Sequence, residues 1–201
     1  MPPTETSLGK LTATIASEQV TPAGVTVAAA SAGMGTALCE MCCIHTLEGQ
    51  RGDDATNSGD KTHRAAEQSG DRSLEAVQSR LKTQRKTLLT LADRDAALVS
   101  ELFAGDETLS AEMRRQASRV PLAVVEAAVE VLEDAAITIE RGRHGVATDA
   151  RTGAVLVRAA LQASAATVRS NLDGDDTEAT TDLLDRLAAA ERRATTVDLD
   201  I

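Results

Sequence analysis

Two of the 31 acidic residues in this chain are placed to do chemistry. Asp95 lies in Leu91-Ala92-Asp93-Arg94-Asp95-Ala96-Ala97-Leu98, a helical stretch already crowded with apolar side chains, and Asp149 opens a helix beside the turn Gly142-Arg143-His144-Gly145. An ordinary Asp or Glu in so acidic a chain is a solvated surface charge. These two are expected to be partly buried, and burial lifts a carboxyl group toward the pH range in which it can accept and return a proton. A third feature is the turn Thr21-Pro22-Ala23-Gly24-Val25-Thr26, within an uncharged run from Gln19 to Cys39. Pro22 fixes its φ and Gly24 has no Cβ to obstruct a close approach. The helix start that follows presents unpaired N–H groups suited to an anionic or polar ligand.

Other constellations promise less. Cys39, Cys42, Cys43 and His45 include the usual zinc ligand types, but on one continuous helix they point over a wide arc and no second Cys pair completes a set, so they read as small packed thiols. His63 and His144 fall in expected loops, His144 being the better placed for catalysis. The sequence has no nucleophile elbow, Walker loop, dinucleotide fingerprint or zinc-protease helix motif.

The elements that must hold these residues are helical. Residues 1–8 read as a flexible tail and 10–17 as a short first helix. A helix over 26–47 carries Ala29, Gly33 and Ala37 at four-residue spacing, a smooth stripe for close packing. Residues 49–71, rich in Gly, Asp, Asn and Ser, read as a loop. A long helix follows over 73–104, with Leu74, Val77, Leu81, Leu88, Leu91, Leu98 and Leu102 near heptad spacing and Gly105 ending it. The next begins near Ser110 and is expected to kink or break at Pro121, since proline donates no backbone hydrogen bond. Leu122, Val125, Val129, Leu132, Ala136 and Ile139 then make its apolar face, and Gly142 and Gly145 punctuate its end. Thr148 is the expected N-cap of a helix running to Leu172, and an amphipathic helix over 177–194 precedes an acidic tail, 195–201.

Composition narrows the class. At 201 residues and 42% hydrophobic content the chain supports one core, read as a single domain spanning 1–201. Phe103 is the only aromatic residue and there are 4 Pro, so Ala, Leu and Val fill the interior and an all-α bundle of five to six helices is expected. The net charge of −10 argues against nucleic acid or an anionic membrane surface as partner. The uncharged run is long enough to span a membrane, but Thr, Ser, Gly and Pro dilute it, and a buried helix of a soluble protein is the better reading. Three clustered Cys without distant partners and no export signal point to a reducing cytoplasm. The excess of Arg over Lys and of acid over base suggests a salt-loving, archaeal source.

Five segments in order carry a family resemblance. They are the turn and helix from Pro22 to Ala37, the Leu88–Ala96 stretch, Arg119-Val120-Pro121-Leu122, Thr148-Asp149-Ala150, and Ala159-Ala160-Leu161 with Val168-Arg169-Ser170-Asn171-Leu172. Together they resemble the cyclodeaminase/cyclohydrolase family, which includes the cyclodeaminase part of formiminotransferase-cyclodeaminase and stand-alone methenyltetrahydrofolate cyclohydrolases. The family's turn typically has three Gly and a Ser where this chain has Ala23, Gly24, Val25 and Thr26.

The resemblance implies an all-α homodimer acting on the one-carbon bridge of tetrahydrofolate, with no metal and no cofactor. On that basis Asp149 is expected to take a proton from water and Asp95 to be the second carboxylate. Thr26, Asn171 and the backbone of Ala23 and Gly24 would hold the pterin or the bridge, and Arg141 or Arg143 would meet the glutamate tail. Hydrolysis of the 5,10-methenyl bridge is the first reading, because no formiminotransferase segment accompanies the chain. Cyclodeamination of formiminotetrahydrofolate is the alternative, and a non-catalytic folate-binding or scaffolding dimer is a third, prompted by the altered turn.

Overall fold

The computed structural model describes residues 2–56, 73–103 and 109–199, without the side chains of 52–56. Among the described residues a 3-10 turn at Pro3–Glu5 is followed by six α-helices: α1 (Leu8–Ile15), α2 (Gly24–Thr56), α3 (Leu74–Leu102), α4 (Ala111–Arg141), α5 (Ala147–Leu172) and α6 (Glu178–Thr196). No strand occurs among the described residues. Four helices start where a hydroxyl caps an otherwise unpaired N–H: Ser7 accepts from Lys10, Ser73 from Ala76, Ser110 from Met113 and Thr177 from Thr180.

Helices α2, α3, α4 and α5 form an antiparallel four-helix bundle. Thr26 of α2 meets Asp95 of α3, while Cys39 of α2 meets Ala150 of α5. Arg80 of α3 forks onto Asp134 of α4, with its Nη2 2.6 Å from Oδ1, and Arg85 reaches Glu40 of α2 at 2.8 Å. Helix α6 lies parallel to α4, with Glu126–Arg186 and Glu133–Arg193 pairs at 2.9 Å one heptad apart, and buries Leu183, Leu187 and Ala190.

Helix α2 packs closely on α5 and α3 and more lightly on α4, while Val27, Ala30, Met34, Ala37, Met41 and His45 lie along a face that stays partly or wholly exposed. Its Gly24–Arg51 part is long and apolar enough to cross a membrane, and 56% of that apolar window is buried among its neighbours. At Gly35 the backbone of α2 rests on that of α5: a Cβ there would stand 2.5 Å from the Gly153 carbonyl oxygen. Gly33 meets Leu89 of α3, and Ala29 is fully buried, so most of the small-residue stripe is used within the chain.

Several expectations need correction. The helix expected to end at Leu47 continues to Thr56, so the loop expected from 49 does not begin there; its remainder and His63 lie outside the described residues. One Gly costs a helix only about 1 kcal/mol, and Gly49 gives the Arg143 side chain a place against the α2 backbone. Helix α4 runs through Pro121 unbroken, the proline buried within a helix whose apolar face packs on α3 and α5; that burial outweighs a local cost of about 3 kcal/mol. Thr148 is not an N-cap: α5 starts one residue before it, with Val146 in the cap position and no side-chain cap, while Asp149 does fall in the first turn. The first residues are tied down, Thr4 donating through N–H and Oγ1 to Asp93 at 3.2 and 2.7 Å. At the other terminus Leu199 is buried and Arg158 donates to the Val197 carbonyl. The expected end of the long helix at Gly105 lies outside the described residues; α3 closes at Phe103.

Candidate active site

The start of α2, the end of α3, the start of α4 and the end of α5 meet at one end of the bundle around a cavity of about 290 Å³. Thr21 and Pro22 join through a cis peptide, and the first helical hydrogen bond runs from Val27 N–H to the Ala23 carbonyl. Thr26 thus stands in the first turn of α2. Its Oγ1 donates to Asp95 Oδ2 at 2.7 Å and its backbone N–H bonds the same carboxylate.

Asp95 is 4% exposed and forms one wall of the cavity. Burial pushes its carboxyl group above the usual range, while the two bonds from Thr26 pull it partly back. The two bonds from Thr26 also fix the orientation of the carboxylate at the cavity wall, the positioning that a general acid–base group needs. Ala23, Gly24 and Asn171, three of the expected substrate contacts, also line the cavity.

Among the lining residues that were not anticipated, two add a chemistry of their own. Thr167, one helical turn before Asn171, adds a hydroxyl, and Phe103 stands beside the cavity 54% exposed. Asp95, Leu98, Val99, Leu102 and Phe103 follow the i, i+3, i+4, i+7, i+8 rule of one helix face, so the pattern was present in the sequence without anything to show that this face borders a cavity.

The other predicted residues lie at the opposite end of the bundle. Asp149 is 22 residues before Asn171 on α5, about 33 Å along the axis at 1.5 Å per residue. Near it are Cys42, whose thiol its charge helps to raise, and the α4–α5 turn with Arg141, Arg143 and His144. Arg143 is engaged with the far part of α2, its N–H donating to Thr46 Oγ1 at 3.0 Å. Within one chain, then, Asp149, Arg141 and Arg143 do not reach a molecule held at Asp95. The two carboxylates expected to work as a pair stand about 20 Å apart along the axis, the rise of α2 from Thr26, which bonds Asp95, to Cys39, which bonds Ala150.

The thiols are packing groups. Cys39, Cys42 and Cys43 are fully buried and unpaired, and desolvation pushes Cys39 to about 12 and Cys43 to about 11. His45 faces solvent 3.6 Å from Glu48. A larger cavity, about 670 Å³, lies where α4 and α5 meet the C-terminal segment and contains none of the predicted site residues.

The sequence between residues 7 and 189 matches the model of the formiminotransferase-cyclodeaminase family, covering most of the chain. The chain belongs to this family. No curated protein matches it. Among solved structures it is similar to formiminotetrahydrofolate cyclodeaminase from Thermotoga maritima, at 20% identity over 94% of this chain and 90% of that one, with a TM-score of 0.77. At that identity the likeness shows a shared fold. The family turn and the Leu88–Ala96 motif, far apart in sequence, thus meet in the Thr26–Asp95 contact.

Proposed function

We propose that this family member is a cytoplasmic enzyme acting on the one-carbon bridge between N5 and N10 of tetrahydrofolate, and that it hydrolyses the 5,10-methenyl bridge at the Asp95 cavity. The observation that carries this reading is a buried carboxylate, held by Thr26, on the wall of a cavity whose rim includes the exposed Gly24 and Phe103. Water can enter such a site, and hydrolysis needs water.

The methenyl bridge is a cationic amidinium, so a neighbouring carboxylate stabilises it before reaction. Water adds to the bridging carbon and one of its protons passes to Asp95. The bond from carbon to N5 then breaks, N5 takes that proton back from Asp95, and the hydroxyl proton leaves to solvent as the formyl group forms on N10. These steps use water and the chain's own side chains, with no cofactor. Asn171, Thr167 and the Ala23–Gly24 backbone are positioned to orient the substrate. Asp149, Arg141 and Arg143 contribute to this site only if a second copy of the chain brings them to it.

The family name and the solved relative favour a second reading, cyclodeamination of formiminotetrahydrofolate. There N10 attacks the carbon of the protonated formimino group (N5–CH=NH2+), the N10 proton passes to Asp95, and Asp95 returns it to the resulting amine, which leaves as ammonia and yields the methenyl cation. The test is the loss of 5,10-methenyltetrahydrofolate absorbance with purified protein in molar salt, beside Asp95→Asn and a blank. Accelerated loss that disappears in the variant supports hydrolysis at this site. No acceleration, with ammonia released from formiminotetrahydrofolate, supports the second reading. Inactivity in both assays with folate still bound leaves a non-catalytic folate-binding protein.

A further inference from the structure

The single aromatic side chain of this protein stands beside the cavity of the buried carboxylate, and its position has a chemical use. Phe103 caps the end of α3, where its N–H donates to the Val99 carbonyl at 3.0 Å, and that bond holds the phenyl-bearing residue at the last turn of the helix. Along the same face, Leu98, Val99 and Leu102 continue the apolar wall from Asp95 to the phenyl ring. Polar groups enter from the other side, on α5: Thr167 and Asn171. An apolar wall closed by a flat ring, facing hydroxyl and amide groups with a carboxylate at one end, suits a flat heterocycle with N–H donors on its edge. A flexible aliphatic chain would gain nothing from the phenyl face, and a sugar or free phosphate would leave the apolar wall uncovered.

We propose that Phe103 is a specificity-determining residue, its ring stacking on the planar pyrimidine half of a reduced pterin. This rests on the folate reading of the Asp95 cavity and adds to it which end of the substrate the cavity receives: the pterin, with the p-aminobenzoyl-glutamate part extending past the rim.

The protein itself supplies an unusually clean probe. With no Trp or Tyr and one Phe, its only phenyl proton resonances belong to Phe103. Wild-type protein in molar salt is titrated with tetrahydropterin, with p-aminobenzoylglutamate and with 5-formyltetrahydrofolate, and the phenyl resonances are followed. Stacking moves them upfield with tetrahydropterin and with the whole folate, and leaves them in place with p-aminobenzoylglutamate. In turnover, Phe103→Leu raises KM by about twofold to twelvefold, the range expected for a lost aromatic contact, and acts far less on kcat; Phe103→Trp restores KM. Circular dichroism confirms that the variants keep their helix content. If folate binds or turns over while the phenyl resonances do not move, or if p-aminobenzoylglutamate is the fragment that moves them, the stacking assignment is overturned and the folate reading survives. If no folate or fragment binds by calorimetry and none is turned over, the folate reading fails and the assignment falls with it.

Discussion

Replacing Asp95 by Asn separates what its carboxylate does for folding from what it does for the reaction. The amide has nearly the same shape and its oxygen still accepts the 2.7 Å bond from Thr26, so the cavity keeps its form. What is lost is the ability to take up and return a proton, worth about 10²–10⁴-fold in rate for a general acid–base catalyst, or about 2.7–5.4 kcal/mol of barrier. Stability moves the other way. Burial places the folded-state pKa of Asp95 above its unfolded value, so this group contributes nothing at low pH, where it is protonated in both states. As pH rises through the ordinary carboxylate range the unfolded chain ionises it freely while the folded protein resists, and folding is disfavoured by an amount that levels off above the folded-state pKa. Asp95→Asn therefore raises the melting temperature at neutral pH relative to wild type, and the gain vanishes in acid. Thr26→Val supplies the companion signature. Removing a hydrogen bond to a charged acceptor, worth about 1.5–3 kcal/mol, lifts the carboxyl group further, moves the acid limb of kcat/KM to higher pH and slows the reaction at neutral pH; Thr26→Ser restores both. The assays are methenyltetrahydrofolate decay over a pH series and thermal melts by circular dichroism. An Asp95→Asn enzyme within tenfold of wild type in rate, with an unchanged melting temperature at neutral pH, would refute the assignment.

Three further outcomes are expected. Gly35→Ala forces a Cβ to within 2.5 Å of the Gly153 carbonyl oxygen, which no side-chain motion relieves; overpacking of about 1–3 kcal/mol lowers the melting temperature by about 2–12 °C for a chain of this size, whereas Gly145→Ala, with nothing near its Cβ, does not. A homodimer gives the separation of Asp95 and Asp149 a use: light scattering in molar salt should give twice the chain mass, and refolding a mixture of inactive Asp95→Asn and Asp149→Asn chains should recover part of the activity by joining an intact Asp95 to an intact Asp149 from another chain. A monomeric mass, or no recovery, removes Asp149 from the reaction. With a net charge of −10, stability should rise as salt shortens the screening length from about 10 Å at 0.1 M to about 3 Å at 1 M; a melting temperature flat across that range would show that self-repulsion is not what limits the fold.

Most of the helices were legible because they depend on neighbours in sequence. Ser73, Ser110 and Thr177 each stand just before an apolar-periodic stretch, and each proved to be a cap. The errors came where local signals were outweighed by distant contacts. Pro121 is a helix breaker locally, yet its helix is sandwiched between α3 and α5. Gly49 is a loop residue locally, yet Arg143, 94 positions later, packs against it. Thr148 has the chemistry of a cap, and the turn placed the helix start two residues too early to use it.

The sequence by itself determined the all-α class, the single core of small aliphatic residues and the membership of a family, since composition, periodicity and ordered motifs are properties of the chain read along its length. It also singled out Asp95, because an acidic residue amid helical apolar spacing is anomalous wherever that helix goes. Only the tertiary structure decided which motifs share a site. Antiparallel packing joins the start of α2 to the end of α3 and the end of α5, so Thr26 reaches Asp95 across 69 residues while Asp149 and Asn171, on one helix, are held apart by its length. A helix is a rigid spacer, and which of its ends meets a given partner is set by the direction in which the bundle packs.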